Sequence, residues 1–225
     1  RAQEAFAALE EAFPGDVRLH HSAFTGLDHT RHEEELLSEL GPASHRGQGR
    51  PTLRIVCGTQ TLEQSLDIDA DVLITDIAPM DLIIQRAGRL HRHKRPDSDR
   101  PEKLRNARIY IRGIANTSPM PEWDPGTAYI YDDALLLTTY QLITSTVANE
   151  GFRRPSDVPD LVQKAYDFDA EHDFPTAWAE RWESSRTRFL ASSSADKSKS
   201  RVFRIPSPGK TGNRLDTLYE QLVRD

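Results

Sequence analysis

The sequence contains a single cysteine and no long apolar run, and these absences exclude several classes of protein. Cys57 has no partner for an internal disulfide, and a thiolate-rich zinc site is excluded for the same reason. Its place in the apolar run 53–57 favours a small buried strand residue over a nucleophile. No stretch of about 18 apolar residues could span a bilayer. The amino terminus also lacks the pattern of an export signal, so we expect a cytoplasmic protein without a membrane partner.

An excess of positive charge is also lacking, because the net charge is −6 at pH 7. The sequence is therefore not that of a uniformly basic nucleic-acid binder. The charge is unevenly distributed, however. Residues 86–108 contain nine Lys or Arg against three Asp or Glu, a local charge of +6. The positive charge is therefore concentrated in the part of the chain that contains the motifs described below.

The first 114 residues alternate between short apolar runs and segments with helical spacing. Strands are predicted at 17–21, 53–57, 72–75 and 107–111, and helices at 2–13, 28–40 and 79–88, with an exposed loop at 41–51. Alternating strands and helices favour an α/β lobe with a parallel sheet and flanking helices. The lobe is expected to be incomplete at its start, because no strand precedes the first helix.

Composition changes beyond about Ile114, where prolines cluster and apolar residues adopt helical spacing. We therefore predict two domains, the α/β lobe at 1–114 and a linker with a mainly helical accessory domain at 115–225. Residues 192–200 are polar and predict a mobile linker, and 215–222 predict a last amphipathic helix. Trp123, Trp178 and Trp182 could pack inside this domain or anchor a protein partner.

The densest cluster of chemically informative residues is Gln85-Arg86-Ala87-Gly88-Arg89-Leu90-His91-Arg92, at the predicted end of a helix. Rigid guanidinium groups supplied by a neighbouring lobe stabilise the charge of a transferring phosphoryl group. The alternative is a basic, solvated turn. The octet matches motif VI of superfamily 2 helicases at every fixed position. By this resemblance Arg89 and Arg92 would be arginine fingers and Gln85 would lie near the γ-phosphate, while Arg86 and Gly88 would complete the ATP-binding turn.

A second motif, residues 59–69, follows the strand that ends at Cys57 and resembles motif V of the same superfamily. The carboxyl end of a strand in an open α/β sheet is where ligands bind. By resemblance, Thr59 and Gln60 would contact a nucleic-acid backbone and Asp67 would face the ribose of ATP. The alternative for Thr59 is a cap that satisfies backbone donors.

Three sequence patterns within residues 53–93 resemble one particular family of these helicases. Thr-Gln-x-x-Glu-x-Ser-Leu-Asp-Ile-Asp, Leu-Ile-Thr-Asp-x-Ala-Pro-x-Asp-Leu and Gln-Arg-Ala-Gly-Arg-Leu-His-Arg resemble the CRISPR-associated helicase-nuclease of type I interference systems. Residues 19–24 resemble the histidine-serine motif of that family, although Ala23 stands where an arginine is common. The resemblance implies an ATP-dependent, 3′ to 5′ translocase or helicase on single-stranded DNA in antiviral defence. It also implies ATP and Mg²⁺ as cofactors and a guide-RNA surveillance complex as a partner.

The sequence contains no phosphate-binding G-x-x-x-x-G-K-[ST] loop, no Asp-Glu metal motif and no histidine-aspartate nuclease constellation. In the resembled family these elements belong to an amino-terminal lobe and a nuclease domain, so ATP and Mg²⁺ would be bound mainly there. The chain alone is therefore predicted to be inactive as an ATPase. The pairs His20/His21, His29/His32 and His91/His93 lack companions at ligand spacing, and no bound metal is expected. The rival interpretation is another superfamily 2 DNA or RNA helicase whose carboxyl-terminal region docks a protein.

Overall fold

The computed structural model describes residues 1–63, 66–148 and 151–200. The helices are α1 (Ala2–Ala12), α2 (Gly26–Leu40), α3 (Met80–Ala87), α4 (Pro125–Ile130), α5 (Asp133–Leu142), α6 (Val158–Tyr166) and α7 (Ala179–Ser200). The strands are β1 (Val17–His20), β2 (His45–Arg46), β3 (Gly49–Arg50), β4 (Ile55–Gly58), β5 (Leu73–Asp76), β6 (Ile109–Arg112), β7 (Ile114–Asn116) and β8 (Glu122–Trp123). The predicted helix at 215–222 lies outside the described residues.

Two parallel strand pairs form the frame of the first region. In the first pair, β1 runs alongside β4 with Val17 opposite Ile55 and His20 opposite Gly58. In the second, β5 runs alongside β6 with Leu73 opposite Ile109. Parallel strands require a crossover between them, and α2 and α3 supply these crossovers. The motif at 59–69 begins directly after β4, and the motif at 85–92 begins in the last turn of α3 and continues into the loop that follows.

The helix boundaries in this region follow from capping residues. Thr25 caps α2, because its hydroxyl accepts a hydrogen bond from the Asp28 amide at 3.4 Å. Pro79 precedes the first residue of α3, and Gly88 follows its last residue. A Cβ at Gly88 would lie 2.8 Å from the Gln85 carbonyl oxygen, so this position requires glycine for the close approach.

The loop predicted at 41–51 contains regular structure that the sequence did not indicate. Its residues form the short paired strands β2 and β3 around Gly47, whose φ is +80°. Ser44 is buried, and its carbonyl oxygen accepts a hydrogen bond from Arg95, which is 51 residues away. Because a partner distant in sequence fixes this segment, a prediction based on local periodicity missed it.

The second region packs its helices on the first through two apolar clusters. One cluster joins Ile77, which follows β5, to residues of α5, α7 and the β8 strand. The other joins Met80 and Ile84 of α3 to Leu161 and Ala165 of α6. The predicted boundary near residue 114 stays a prediction, and these clusters link the residues on its two sides.

The three tryptophans are core residues. Trp123, Trp178 and Trp182 are 9%, 5% and 7% exposed, and all three belong to the larger apolar cluster. The Trp123 indole N–H donates to Asp133 at 2.6 Å and the Trp178 indole N–H to the Pro119 carbonyl at 2.9 Å. Packing inside the helical region is therefore confirmed, and their use as anchors for a partner is excluded by burial.

The mobile linker predicted at 192–200 is wrong, because α7 continues to Ser200. The sequence suggested a linker since this stretch is almost entirely polar. Trp182 and Ser185 are buried and fix the first half of α7 against the core. Once those turns exist, adding further residues such as Ala and Lys requires little free energy, so the helix propagates into solvent.

Candidate functional site

Glu63 joins the two motifs into one site. Its carboxylate accepts a hydrogen bond from Arg86 Nε at 2.6 Å, and its backbone carbonyl accepts one from the Arg89 guanidinium at 2.9 Å. The Glu63 and Arg86 side chains are 8% and 15% exposed, so water screens this ion pair weakly. Glu63, to which the sequence assigned no role, therefore connects the loop after β4 to the end of α3.

Arg86 is held on every side by the protein. Besides Glu63, its guanidinium donates to the Thr75 hydroxyl at 2.8 Å, the Asp76 carbonyl at 3.0 Å and the Tyr131 hydroxyl at 3.0 Å. These partners come from the end of β5 and from the loop between α4 and α5. Because its guanidinium nitrogens are used in these hydrogen bonds, Arg86 has a structural role and holds the surrounding segments in place.

Arg89 has unused hydrogen-bonding capacity. Its Nε is buried and has no hydrogen-bond partner among the described residues. Burial, followed by the positive charge of Arg92, lowers the pKa of the Arg89 guanidinium. A cation held in such surroundings is stabilised by any anion that reaches it, because solvent compensates its charge poorly.

Arg92 and Asp67 lie against each other at the exposed rim. Arg92 Nε donates to the Asp67 carboxylate, which also contacts His93 Nε2 at 2.9 Å. Hydrogen bonds from Arg92 and then His93 hold the pKa of Asp67 below its usual range. The two side chains are 39% and 48% exposed, so the pair can exchange with solvent or a ligand.

Thr59 and Gln60 stand at the start of the loop that follows β4. The Thr59 amide donates to the His20 carbonyl at 3.3 Å, and the Thr61 hydroxyl donates to the same oxygen at 3.3 Å. Gln60 is exposed, as is Gln85 at the other motif. The cap predicted for the Thr59 side chain as an alternative is not formed among the described residues, because no backbone N–H there donates to its hydroxyl. Its half-buried hydroxyl lies 3.5 Å from that of Thr61.

A buried ionic network connects Asp69, at the end of the motif at 59–69, to arginines that follow the motif at 85–92. Asp69 is fully buried and accepts hydrogen bonds from Arg95 and from Arg100, the latter at 2.8 and 2.9 Å. Burial alone would raise the pKa of Asp69, but these arginine hydrogen bonds hold it below the usual value. Arg50 and Arg100 also contact Asp71. The only signal in the sequence was the alternating Asp67, Asp69 and Asp71 beside an arginine-rich segment.

The histidines for which no metal was expected occupy different environments. His91, with a left-handed φ of 47°, contacts the Asp71 carbonyl at 3.2 Å. His20 and His29, by contrast, come together with Glu33 in a group whose ligand atoms lie within 4.8 Å of one another. The statement that no histidine has a carboxylate companion at ligand spacing is therefore wrong, because Glu33 follows His29 by one helical turn.

Comparisons with known proteins agree on one family. Residues 1–95, which contain every predicted site residue, match the family model described as CRISPR-associated nuclease/helicase Cas3, C-terminal. The CRISPR-associated nuclease/helicase Cas3 of Streptococcus thermophilus is 43% identical over 176 residues, which cover 78% of this chain and 17% of that protein. The chain belongs to the Cas3 nuclease/helicase family. It spans about a sixth of the length of this Cas3 relative.

Solved Cas3 structures confirm the fold class. The crystal structure of T. fusca Cas3-ATP is similar with a TM-score of 0.76 and 26% identity, over 96% of this chain and 23% of the solved chain. A chain of the CRISPR RNA-guided surveillance complex, pre-nicking, is similar with a TM-score of 0.73 and 28% identity, over 96% of this chain and 25% of that one. The predicted α/β, RecA-like class is confirmed by this similarity. Among the described residues, no helix is both long and apolar enough to cross a membrane.

Proposed function

We propose that this chain is the second RecA-like lobe and helical accessory region of an ATP-dependent translocase on single-stranded DNA. The observation that carries the proposal is the convergence of the two motifs on Glu63, whose carboxylate holds Arg86 and whose carbonyl holds Arg89. A movement of the strand-contacting loop is thereby transmitted to the arginines. Such coupling is what a motor needs to link hydrolysis to translocation.

The ATP-facing half consists of Arg89, Arg92 and Gln85, with Asp67, Arg86 and Gly88 shaping the turn. Arg89 and Arg92 would stabilise the transferring phosphoryl group from the side of this lobe. Arg92 would leave Asp67 to do so, and the freed carboxylate would then face the ribose. The phosphates and Mg²⁺ would be held mainly by the first lobe, since this chain contains no phosphate-binding loop. The similar T. fusca Cas3-ATP structure supports a nucleotide as the ligand.

The isolated 225-residue chain is expected to show no ATP hydrolysis above background. Arginine fingers stabilise a transition state only when another surface positions ATP, Mg²⁺ and the attacking water. Phosphate release measured with and without single-stranded DNA checks this, with the intact protein as the positive control. Turnover stimulated by DNA in the isolated chain would refute the division of the ATP site between two lobes.

Thr59 and Gln60 form the half of the site that would face the DNA. Replacing both with alanine in the intact protein is expected to weaken binding of single-stranded DNA by about tenfold, because two polar contacts to the backbone are lost. Fluorescence anisotropy at several salt concentrations measures the affinity. The control is Thr52→Ala, an exposed threonine ahead of β4. Unchanged affinity in the double variant would remove these residues from the interface.

The partner proposed for the intact protein is a guide-RNA surveillance complex. The similarity to a chain of the pre-nicking surveillance complex over 96% of this chain supports it. In that setting the complex opens the target DNA and the motor engages the displaced strand. The Cas3 relatives are named nuclease/helicases, and the nuclease activity would belong to a domain elsewhere in the intact protein, because this sequence contains no histidine-aspartate nuclease constellation.

A further inference from the structure

The carboxyl end of β1 contains a histidine whose environment neither motif explains. The His20 side chain is completely buried, and both ring nitrogens lack a hydrogen-bond partner among the described residues. Buried polar groups are almost always paired, because the hydrogen bonds lost from water are otherwise not replaced. An imidazole with two unused nitrogens inside a folded lobe therefore points to a partner that protein atoms do not provide.

Two further side chains that could bind a metal lie on α2, close to this imidazole. His29 and Glu33 are one helical turn apart, with His29 Nδ1 3.3 Å from a Glu33 carboxylate oxygen. The His20 and His29 ring centroids are 4.7 Å apart. One ligand atom from each of the three residues lies within 4.8 Å of the other two. The half-buried His29 and Glu33 leave the group open on one side.

We propose that His20, His29 and Glu33 bind a divalent transition metal of the zinc type, with water as the remaining ligand. Two imidazoles and one carboxylate are a ligand set that Zn²⁺ accepts in tetrahedral geometry. Ligand atoms around zinc lie roughly 3.3 Å apart, given bond lengths of about 2.0–2.1 Å. Small side-chain rotations of His29 and Glu33 would close the group from its present spacing. A simple His29–Glu33 ion pair would leave the buried His20 ring unexplained.

The position of this metal gives it a structural consequence for the neighbouring loop. The His20 carbonyl accepts the hydrogen bonds of the Thr59 amide and the Thr61 hydroxyl, both at 3.3 Å. A metal bound to the His20 side chain would fasten the end of β1 to α2 and hold that carbonyl in place. Binding of the metal requires neither nucleotide nor nucleic acid, so its test is independent of the proposed function.

The test uses the 225-residue chain after removal of metal with a chelator. Titration with ZnCl₂ against a chromophoric chelator is expected to give about one equivalent bound, and CoCl₂ is expected to give the visible absorption of four-coordinate cobalt. His29→Gln and Glu33→Gln should each weaken zinc binding by on the order of 100-fold or more, because losing a ligand exceeds the effect of losing an outer-shell partner.

Glu34→Gln is the matched control, since Glu34 is exposed, adjacent to Glu33 and outside the group. Its affinity should equal that of the unmodified chain. The two ligand variants replace half-buried residues, and circular dichroism verifies that they fold. Failure of the unmodified chain to bind zinc, or equal binding by the folded ligand variants and Glu34→Gln, would overturn the proposal.

Discussion

Replacing Arg89 with alanine is expected to lower the ATPase turnover of the intact protein by about three orders of magnitude or more. An arginine finger contributes this much because its guanidinium neutralises charge that develops on the transferring phosphoryl group. Arg89 suits the role because its pKa is lowered by burial and by Arg92, so an approaching anion is strongly favoured. Arg89→Lys should recover little activity, since an ammonium group cannot reproduce the planar fork.

Measuring both ATPase turnover and thermal stability of Arg89→Ala separates a loss of catalysis from a loss of folding. Within the described residues, the Arg89 side chain makes one hydrogen bond, to a backbone carbonyl, whereas the Arg86 side chain makes four contacts that hold the site together. Arg89→Ala should therefore change the thermal midpoint little while reducing turnover. Arg188→Ala, at an exposed position of α7, is the control and should leave both unchanged. Wild-type turnover in Arg89→Ala would exclude it as a finger.

Local signals in the sequence predicted the elements that frame the site. Helix α3 was predicted almost to the residue, because Pro79 can begin a helix and Gly88 commonly ends one. The strands near 17, 55, 73 and 109 were also predicted, since short apolar runs are typical of buried parallel strands. The short strands within 41–51 were missed, and the linker at 192–200 was predicted wrongly. Their structure depends on Arg95 in the first case and on the packed start of α7 in the second.

The contacts that organise the site could not be predicted, because they join residues far apart in sequence. Glu63 meets Arg86 across 23 positions and Asp69 meets Arg100 across 31. Hydrophobic periodicity reports local structure and does not indicate such pairs. A sequence motif likewise does not show which residues contact each other in the fold. His20 illustrates the same point, since only the fold of β1 against α2 brings it to His29 and Glu33.

Asp69→Asn is expected to destabilise the fold by about 3–5 kcal/mol, the largest effect on stability that we predict. The side chain of Arg95 is fully buried and that of Arg100 almost so, and both hydrogen-bond to the Asp69 carboxylate. Asparagine keeps the size of the side chain but removes the charge, which leaves the buried Arg95 guanidinium without a carboxylate partner and Arg100 with Asp71 alone. In a protein of this length the loss corresponds to a thermal midpoint roughly 6–20 °C lower. Asp173→Asn, at an exposed position, is the control and should leave the midpoint unchanged.

The pH dependence of the stability difference between the unmodified chain and Asp69→Asn shows whether the carboxylate charge causes it. The pKa of Asp69 is depressed in the folded state, so its stabilisation is present above the unfolded value of about 3.9 and is lost as the pH falls towards the folded pKa. Asparagine does not titrate, and the gap in urea midpoint between the unmodified chain and Asp69→Asn should therefore be constant from pH 5 to 7 and narrow below about pH 4. A gap that stays constant into acid would mean that lost packing, and not the carboxylate charge, causes the destabilisation.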